Sequence, residues 1–522
     1  MDYVIGCDIG SQSTKAILLS YEGRVLGEAS ADYAIDYPQP AWAEQPVERW
    51  TVALAVAIRQ LLASTGVRPD QVRGLGLASQ VESVVPLDAS GRPLRPAILW
   101  MDRRATEQCE RVRDTLGAPA VLELTGLNLD PSHVAPKIRW IADHQPEIYA
   151  KAVSFMQPGS YVAYHLTGEK AIDYSNASAA LLLDIRSKDW SPAMCAQFGV
   201  DVGLLPPVRP AIEPLGRILP RVAMALGLTA ATRVVVGSGD EHAACLGAGV
   251  IGPGLVGDIV GTAEPVCAAS AFPAIDATGL IETHCHADPG LWLLENPGFV
   301  SGVNYRWFKD HFGQAEADAA ARTAASPYAL LDAVAARAPA GAQGLIFLPC
   351  LMGATTPTWN ESARGTYFGF TLAHTREHFA RAILEGSAYA VRDLTDRMAA
   401  IGVAPRELRV MGGGAKSRLW NQIKADVTGL PVTVPETSEA TALGAGLLAL
   451  IGVGACATLA EACEAAVHLA ERFEPRPREG AIYQETYALY REVYHALVPA
   501  FDLAARFQAS ASQGNSSDHV SP

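Results

Sequence analysis

Residues 234–249 read VVVGSGDEHAACLGAG and lie near the middle of the 522-residue chain. The three β-branched valines predict a buried strand, and the glycines after them predict a turn into a helix of small, closely packed residues. In an open α/β sheet such a strand end is where ligands bind, and this one presents a single carboxylate, Asp240. That carboxylate either accepts a proton from a substrate hydroxyl or caps the helix, and this stretch alone supports both interpretations.

Length, charge and cysteine content restrict the class of protein. A chain of 522 residues exceeds the size of one hydrophobic core, so two or three domains are expected. The net charge of −14, with no basic block, argues against nucleic acid or an anionic membrane as the main partner. The nine cysteines form no zinc-binding pair, and the sequence shows neither a cleavable leader nor an apolar run of membrane-spanning length. These features predict a reduced, cytoplasmic protein.

The N-terminal segment predicts a β-hairpin. Residues 3–9 alternate as a strand that includes Asp8, and the turn that follows is rich in Gly, Ser and Thr. Such a turn can direct backbone amides and hydroxyls at phosphate, while Asp8 can hold a hydrated Mg²⁺. An ordinary polar hairpin turn has the same composition, so both interpretations stay open.

Further along, polar residues follow predicted strands. Gln80, Glu82 and Asp102 stand at strand ends and suit a site that binds the hydroxyls of a polyol. Solvated charges, or a plain ion pair between Asp102 and a neighbouring arginine, are the alternative.

The second half of the chain repeats the opening pattern. Residues 255–270 predict a strand, a turn containing Gly261 and Thr262, and a second strand. Glu264 follows this turn, and because an acid beside phosphate is unfavourable without a metal, we expect it to face substrate or solvent. Residues 412–414 are three glycines between a strand and a helix, which either admit a ligand at the helix N-terminus or form a tight turn.

Other segments favour structural roles. His284 and His286 lie on one side of a predicted strand, but no further ligand completes a metal site. Residues 312–340 predict a peripheral helical segment, and Thr375 is a good N-cap for a packed helix that ends near residue 400. Four tyrosines at helical spacing predict packing near the C-terminus: Tyr483, Tyr487, Tyr490 and Tyr494.

Several of these motifs together resemble the FGGY carbohydrate kinases. The matching stretches are DIGSQSTK at 8–15, WAEQP at 42–46, SQVE at 79–82 and ILWMDRR at 98–104. The stretches YSNAS at 174–178, LLDIR at 182–186 and LLPP at 204–207 are similar to the xylulokinase branch. That branch usually continues Gln-Met-His-Gly where this chain has Gln80-Val81-Glu82, which is closer to the Arg-Glu-Thr step of glycerol kinases.

The resemblance implies an α/β fold of two actin/hexokinase-like (ribonuclease H-like) domains with a nucleotide-binding cleft between them. On this basis residues 1–246 are expected to form an N-terminal domain that binds sugar and carries a phosphate turn. Residues 254–506 are expected to form a C-terminal domain that binds adenosine, and residues 507–522 a disordered tail.

The resemblance also implies an ATP-dependent kinase that uses Mg²⁺ and phosphorylates a hydroxyl of a small sugar. Asp240 would be the catalytic base, and Asp8, through water, and Asp240 would hold the metal. The residues implied to contact the substrate are Gln80, Val81, Glu82, Asp102 and Asp240. The residues implied to contact ATP are Gly10, Ser11, Thr14, Lys15, Gly261, Thr262, Gly413, Gly414 and Asn421.

The acceptor and two other classes of function stay open at this point. A ketopentose such as xylulose is the leading acceptor, and a glycerol- or tetritol-type polyol is second because of Glu82. A non-kinase actin-like ATPase would not need Asp240, and a degenerate, regulatory sugar-binding protein is kept open by Glu82 and Glu264. The expected partner is a small sugar or polyol, not nucleic acid or membrane, and a homodimer is one possible assembly.

Overall fold

A computed structural model describes the backbone of residues 1–514 and the side chains of residues 1–508. Its strands, in chain order, are β1 (Tyr3–Ile9), β2 (Ser13–Ser20), β3 (Val25–Asp32), β4 (Glu44–Gln45), β5 (Val72–Ser79), β6 (Val85–Leu87), β7 (Ala97–Ile98), β8 (Ser154–Met156), β9 (Ile172–Asp173), β10 (Leu183–Asp184), β11 (Asp189–Trp190), β12 (Val208–Arg209), β13 (Pro214–Arg217), β14 (Arg233–Val235), β15 (Ser238–Gly239), β16 (Leu255–Ile259), β17 (Ala263–Ser270), β18 (Glu282–Cys285), β19 (Trp292–Val300), β20 (Ile346–Leu348), β21 (Thr366–Phe368), β22 (Glu407–Met411), β23 (Val432–Pro435) and β24 (Leu469–Phe473).

The α-helices are α1 (Glu48–Thr65), α2 (Thr106–Thr115), α3 (Ala118–Thr125), α4 (Val134–His144), α5 (Pro146–Lys151), α6 (Pro158–Thr167), α7 (Tyr174–Ser178), α8 (Pro192–Phe198), α9 (Pro220–Leu226), α10 (Asp240–Gly247), α11 (Gly302–Phe312), α12 (Gln314–Thr323), α13 (Pro327–Ala335), α14 (Arg376–Ala400), α15 (Arg418–Thr428), α16 (Ala440–Val453), α17 (Leu459–Ala466) and α18 (Pro477–Gly514). None of the helices in the described part of the chain is both long and apolar enough to cross a membrane.

The chain divides into two compact units. The first unit comprises residues 1–253, 269–294 and 439–468, and the second comprises residues 254–268, 295–438 and 469 onward. The expected domains 1–246 and 254–506 were continuous, whereas each unit is assembled from three segments. Residues 439–468 belong to the first unit because α16 packs on β1 and β5.

Two sheets of the same design organise the fold. The first has the strand order β13-β14-β5-β1-β2-β3, with β15 also paired to β5, and β1 is antiparallel to β2 and parallel to β5. The second has the order β18-β19-β17-β16-β22-β23-β24, and β16 is antiparallel to β17 and parallel to β22. The repeated hairpin predicted from the sequence is therefore confirmed, and each hairpin lies beside a parallel strand.

The helix that carries Asp240 is fixed by close packing on α16. A Cβ added at Gly247 would lie 1.9 Å from the Ala440 carbonyl oxygen, and one added at Gly444 would lie 1.9 Å from the Ala243 carbonyl oxygen. Because no side chain fits at these two contacts, the backbones of α10 and α16 approach directly. The small residues around Asp240 thus serve the tight packing that the sequence predicts.

Local patterns located several helices correctly. α1 buries Trp50, Leu54 and Ile58, which recur in the sequence at helical spacing, on one face. Thr375 is the N-cap of α14, and the four tyrosines of α18 are buried.

The C-terminal tail differs from its expected form. α18 continues to Gly514, past the expected start of disorder at residue 507, because the alanines and glutamine of this stretch favour helix. Residues 515–522, also part of the expected tail, lie outside the described residues.

Candidate active site

Asp240 is the first residue of α10, in the first unit. Gly239 occupies the N-cap position, so Asp240 is not the cap, and its Oδ1 accepts a hydrogen bond of 3.0 Å from the Glu241 N–H. The rest of the helix from His242 to Gly247 is buried, whereas Asp240 is only partly buried. The carboxylate is therefore held on a rigid helix with part of its surface open to a ligand.

Asp240 and Asp8 influence each other's charge. Burial raises the pKa of Asp240 well above its ordinary value, and the charges of Glu241 and Asp8 raise it further. Burial also raises the pKa of Asp8 to about 7, with Lys15 opposing and Glu439 adding to the shift. Carboxyl groups with strongly raised pKa values cluster at catalytic sites, because a base is most effective when its pKa is near the working pH.

The turn between β1 and β2 is fixed by hydrogen bonds to its carbonyls, and we call residues Gly10–Ser13 the phosphate turn after the role that the resemblance implies. The Gly10 N–H donates to the Ser13 carbonyl at 3.0 Å, and the Tyr33 hydroxyl donates to the Gly10 carbonyl at 2.6 Å. The Ser11 carbonyl accepts a 3.0 Å bond from Gln45. Among the described residues no acceptor meets the N–H groups of Ser11 and Gln12. With its carbonyls bound from behind, the turn presents these two donors outward, as in an anion-binding nest.

Two other residues expected at this turn have partners of their own. Thr14 is fully buried, and its hydroxyl lies 3.3 Å from the Tyr33 hydroxyl. The Lys15 ammonium is 2.8 Å from a carboxylate oxygen of Glu439, and its side chain is 41% exposed. Lys15 thus keeps a cation near the turn, whereas the Thr14 hydroxyl faces the interior.

Gln80 is bound to the phosphate turn. Its Nε2 lies 3.3 Å from the Gly10 carbonyl, its Oε1 accepts from the Ser11 hydroxyl at 3.2 Å, and its side chain is buried. Gln80 was expected at the substrate, but its amide instead supports the turn. The Ser11 hydroxyl is also used in this way, whereas the Ser11 backbone N–H meets no acceptor among the described residues.

Val81 and Glu82 continue this segment, which we call the acceptor loop (residues 80–83). A Cβ added at Gly239 would lie 2.7 Å from Val81 Cγ1, so the loop packs directly against the residue before Asp240. Glu82 has φ of 61°, a left-handed conformation that is uncommon for a residue with a side chain. A strained backbone of this kind persists only where surrounding contacts hold it, and it often marks a functional site.

The contacts that hold Glu82 come from three distant side chains. Its N–H donates to Gln157 at 2.9 Å, its carbonyl accepts from the Lys137 ammonium at 2.8 Å, and its Oε1 lies 2.8 Å from His133 Nδ1. Burial alone would lower the pKa of His133, but the Glu82 carboxylate raises it to about 9. Burial alone would raise the pKa of Glu82, but His133 and Lys137 hold it below its ordinary value. Glu82 is thus a fixed, ionised acceptor, and sequence patterns did not reveal its partners.

Asp102 is committed to an ion pair. It is fully buried, one oxygen accepts from the Ala43 N–H at 2.6 Å, and Arg104 donates to both oxygens. The Arg104 guanidinium in turn stacks 3.7 Å from the Trp42 ring. These contacts favour the plain ion pair, with Arg104 rather than Arg103, over contact with a substrate.

Glu264, in the second unit, faces neither substrate nor solvent. Its side chain is fully buried and its Oε1 is 2.6 Å from the ammonium of Lys424, which also bonds Asp258. The expectation for Glu264 was wrong because its partner comes from α15, 160 residues away in sequence.

The second unit contains a cavity of about 370 Å³, a size that suits a small-molecule ligand. Residues from the β16–β17 turn, α11, α13 and the segment before α15 form its walls. They are Val260, Gly261, Thr262, Gly302, Val303, Tyr305, Arg306, Ser326, Tyr328, Ala329, Asp332, Gly413, Gly414, Lys416, Ser417 and Trp420.

The cavity includes most, but not all, of the residues expected there. Gly261, Thr262, Gly413 and Gly414 line it. Asn421 does not, because its side chain is buried and its Nδ2 donates to the Ala415 carbonyl at 2.8 Å. Asn421 instead supports the glycine turn from below.

The helices after the second hairpin contribute residues that the sequence analysis missed. The segment 312–340 was expected to be peripheral, yet Tyr328 and Asp332 of α13 line the cavity. Asp332 accepts a 2.9 Å hydrogen bond from Tyr305 of α11, which fixes that aromatic wall. These two residues are not peripheral, and an alanine-rich composition conceals which few side chains face a cavity.

Both ring nitrogens of His286 are hydrogen-bonded to the backbone. The Asp288 N–H donates to His286 Nδ1 at 2.9 Å, so Nε2 carries the hydrogen that is donated to the Val250 carbonyl, also at 2.9 Å. Over the part of the chain that the structure describes, no three His, Cys, Asp or Glu side chains are grouped as metal ligands.

Comparison with known proteins gives the same picture over nearly the whole chain. Residues 3–247 match the N-terminal domain of the FGGY family of carbohydrate kinases, and residues 259–453 match its C-terminal domain. The xylulose kinase of Bacillus subtilis (strain 168) is 31% identical over 494 residues, which cover 95% of this chain and 97% of that protein. The glycerol kinase of Citrifermentans bemidjiense is 35% identical over 489 residues, which cover 91% and 95%.

A solved structure agrees with these similarities. The xylulose kinase from Rhodospirillum rubrum superposes with a TM-score of 0.88 at 31% identity, covering 96% of this chain and all (100%) of that one. Two matched domains, relatives above 30% identity and a shared fold lead to one conclusion: the chain belongs to the FGGY family of carbohydrate kinases.

Proposed function

We propose that this carbohydrate kinase transfers the γ-phosphoryl group of ATP to a hydroxyl of a ketopentose of the xylulose type. The observation that carries the proposal is Asp240, a partly open carboxylate of raised pKa at the start of α10. A carboxylate so placed can act as the general base that removes the proton of an alcohol. The xylulose kinases among the relatives cover the chain almost completely and support the choice of acceptor.

In the proposed reaction the acceptor hydroxyl attacks the γ-phosphorus in line. Asp240 accepts the hydroxyl proton as the new O–P bond forms and the bond to the leaving ADP oxygen breaks. The ionised carboxylate of Glu82 accepts a hydrogen bond from another hydroxyl of the sugar, which orients the acceptor. Little covalent work falls to the protein, so positioning and charge account for the acceleration.

The nucleotide is assigned to two sets of groups. The outward N–H groups of Ser11 and Gln12 donate to phosphate oxygens, and Lys15 adds a positive charge beside them. The cavity of the second unit accommodates adenosine, with Gly413 and Gly414 allowing its ring to approach the backbone.

Asp8 fits a bound Mg²⁺ ion. Its Oδ1 is buried and accepts no hydrogen bond from the residues that the structure describes. Mg²⁺ in kinases is usually held by one or two carboxylates and by substrate phosphates, with the rest of its shell filled by water. Asp8, through water, and Asp240 would supply the carboxylates, and the ion would neutralise charge on the transferred phosphoryl group.

A glycerol- or tetritol-type polyol is the second candidate acceptor. The fixed carboxylate of Glu82 favours it, since a carboxylate accepts hydrogen bonds from any pair of neighbouring hydroxyls. The glycerol kinase of Citrifermentans bemidjiense, at 35% identity, supports the same candidate.

Release of ADP decides between these acceptors. The purified protein is incubated with Mg-ATP and a panel of ketopentoses, aldoses, gluconate, glycerol and tetritols. We expect ADP release to depend on a ketopentose, with D-xylulose giving the highest kcat/KM. Highest activity with glycerol or a tetritol would replace the first candidate by the second, and release that is independent of every acceptor would contradict both.

Substitution of Gly302 by alanine is expected to raise the KM for ATP. A Cβ at this position would lie 2.1 Å from the Gly261 carbonyl, so the turn that lines the cavity must move. Overpacking of this kind costs about 1–3 kcal/mol, and because ATP is expected to bind the turn in its original geometry, this corresponds to an increase in KM of roughly 5- to 150-fold. Steady-state kinetics at saturating acceptor measures the change.

Gly480→Ala is the matched control for this substitution. Gly480 lies in α18, and a Cβ there would approach its nearest neighbour, the Asp426 carbonyl, only to 3.4 Å. We expect it to leave the KM for ATP unchanged. Equal KM values for the Gly302 variant and the parent would show that the nucleotide does not use this turn.

A further inference from the structure

Trp100 is a partly exposed tryptophan whose indole is tied to the phosphate turn. It follows β7, its side chain is 42% exposed, and its Nε1 donates to the Ser11 hydroxyl at 2.9 Å. The indole N–H is the only polar group of the side chain, and this hydrogen bond gives it its partner.

The hydrogen bond continues from Ser11 to the backbone of the turn. The Ser11 hydroxyl accepts from the Trp100 indole and therefore donates its own hydrogen to Gln80 Oε1 at 3.2 Å. The other end of the Gln80 amide, Nε2, donates to the Gly10 carbonyl at 3.3 Å. Each of these three donors has a single acceptor. The hydrogen bonds therefore run in one direction, from the Trp100 indole through Ser11 and Gln80 to the Gly10 carbonyl.

A second contact connects Trp100 with the acceptor loop. The Trp100 backbone N–H donates to the Ser83 hydroxyl at 3.1 Å, and that hydroxyl lies 3.5 Å from Gln80 Oε1. Ser83 and Gln80 are both buried, and Val81 and Glu82 lie between them in the sequence. Trp100 therefore forms hydrogen bonds with both the acceptor loop and the phosphate turn.

We propose that Trp100 is a positioning residue that holds the phosphate turn through Ser11 and Gln80 and so supports nucleotide binding. This inference rests on the proposed function of the same site. Without the indole N–H, the Ser11 hydroxyl is free to turn away from Gln80, and the Gly10 carbonyl loses its support from that side. The N–H donors of Ser11 and Gln12 then lose part of their fixed orientation toward phosphate.

The test uses three variants of the full chain. Trp100→Phe keeps an aromatic ring and removes the indole N–H, Ser11→Ala removes the hydroxyl, and the double variant removes both. The loss of one uncharged hydrogen bond corresponds to about a threefold to tenfold effect. We expect each single variant to lower kcat/KM for Mg-ATP by this factor, with the KM for the sugar changed less than twofold.

The double variant distinguishes a chain of hydrogen bonds from two separate local effects. If Trp100 acts through Ser11, the double variant falls no further than the lower single variant, whereas independent effects multiply. Parental kcat/KM in Trp100→Phe, or multiplied losses in the double variant, would overturn the proposal.

Calorimetric binding of the non-hydrolysable ATP analogue AMP-PNP with Mg²⁺ provides a readout independent of the acceptor. We expect the dissociation constant of Trp100→Phe to rise threefold to tenfold without sugar, and an unchanged constant would also overturn the proposal. Trp359→Phe is the control, because Trp359 is 51% exposed and its indole bonds no group among residues 1–508. If the parent protein binds the analogue but phosphorylates no acceptor, the proposed function fails while the binding test of Trp100 still stands.

Discussion

Replacement of Asp240 by asparagine is expected to lower kcat by about 10²- to 10⁴-fold, the range typical for loss of a general base. Asparagine has nearly the same shape and keeps a hydrogen-bond acceptor, but it cannot take a proton from the acceptor hydroxyl. The KM for ATP should change less than kcat, since the N–H donors of the phosphate turn and the cavity of the second unit are intact and only one of the two carboxylates assigned to Mg²⁺ is lost. Measurement of ADP release at saturating substrates gives kcat directly.

Loss of folding does not explain such a result. The pKa of Asp240 is raised by burial, so the ionised form is disfavoured in the folded protein. The stability that this group contributes is present at pH values below its unfolded pKa and is lost as the pH rises through the folded pKa. The amide carries no charge that must be desolvated, so the asparagine variant should be at least as stable as the parent at every pH at which Asp240 is ionised. A variant that keeps more than a tenth of the parental kcat would refute the role of Asp240.

Glu241 provides the matched control, because its charge is one cause of the raised pKa of Asp240. A base acts in its ionised form, so kcat/KM must fall as the pH falls through the pKa of Asp240. Glu241→Gln should leave the plateau of this profile unchanged and move its acidic limb to lower pH. An unchanged limb would assign the limb to a group other than Asp240.

Replacement of Lys424 by methionine is expected to destabilise the protein by about 3–5 kcal/mol, the cost of removing one partner from a buried ion pair. Lys424 is buried on α15 and bonds both Asp258 and Glu264, which are fully buried on the second hairpin. Without the ammonium, two carboxyl groups remain in the interior with no compensating charge. Urea unfolding followed by circular dichroism measures the change in the free energy of unfolding. Because a chain of two units need not unfold in one step, the comparison uses the transition whose midpoint differs between the variant and the parent.

Two further variants test the cause of this destabilisation. Burial raises the pKa of Glu264 to about 8, with Asp258 adding and Lys424 opposing, so Glu264 is largely protonated at pH 7. Glu264→Gln should therefore have a small effect at pH 7, and it should remove a loss of stability that the parent shows as the pH rises through about 8. Combining Lys424→Met with Asp258→Asn and Glu264→Gln should restore most of the lost stability. If the triple variant is as unstable as Lys424→Met, lost packing rather than unpaired charge is responsible.

The regular elements of the fold could be predicted because their signals are local. The N-cap at Thr375 and the apolar face of α1 at Trp50, Leu54 and Ile58 depend on residues within a few turns of one another. The repeated hairpin was visible for the same reason, since strand, turn and strand are adjacent in sequence. The end of α18 was missed because helix propensity continues past the last residues with apolar periodicity.

The candidate site was predicted in outline and not in its contacts. Asp240 and Asp8 were found because each stands at a characteristic strand end or turn. Glu82 was found as well, but its partner His133 carries no signal of its own. Tyr328 and Asp332 were missed because the helix that bears them shows only an alanine-rich pattern.

The sequence by itself determined the family, the two repeated hairpins, the acid at Asp240 and the glycine turns, since all of these are written in short, contiguous motifs. Only the tertiary structure decided which polar side chains are free to meet a ligand. Gln80 accepts a hydrogen bond from Ser11, 69 residues away, and Asp102 accepts one from Ala43, 59 residues away. Glu264 accepts one from Lys424, 160 residues away. The physical reason is that a buried polar group must find a partner, and that partner comes from whichever distant segment the packing brings within hydrogen-bond distance.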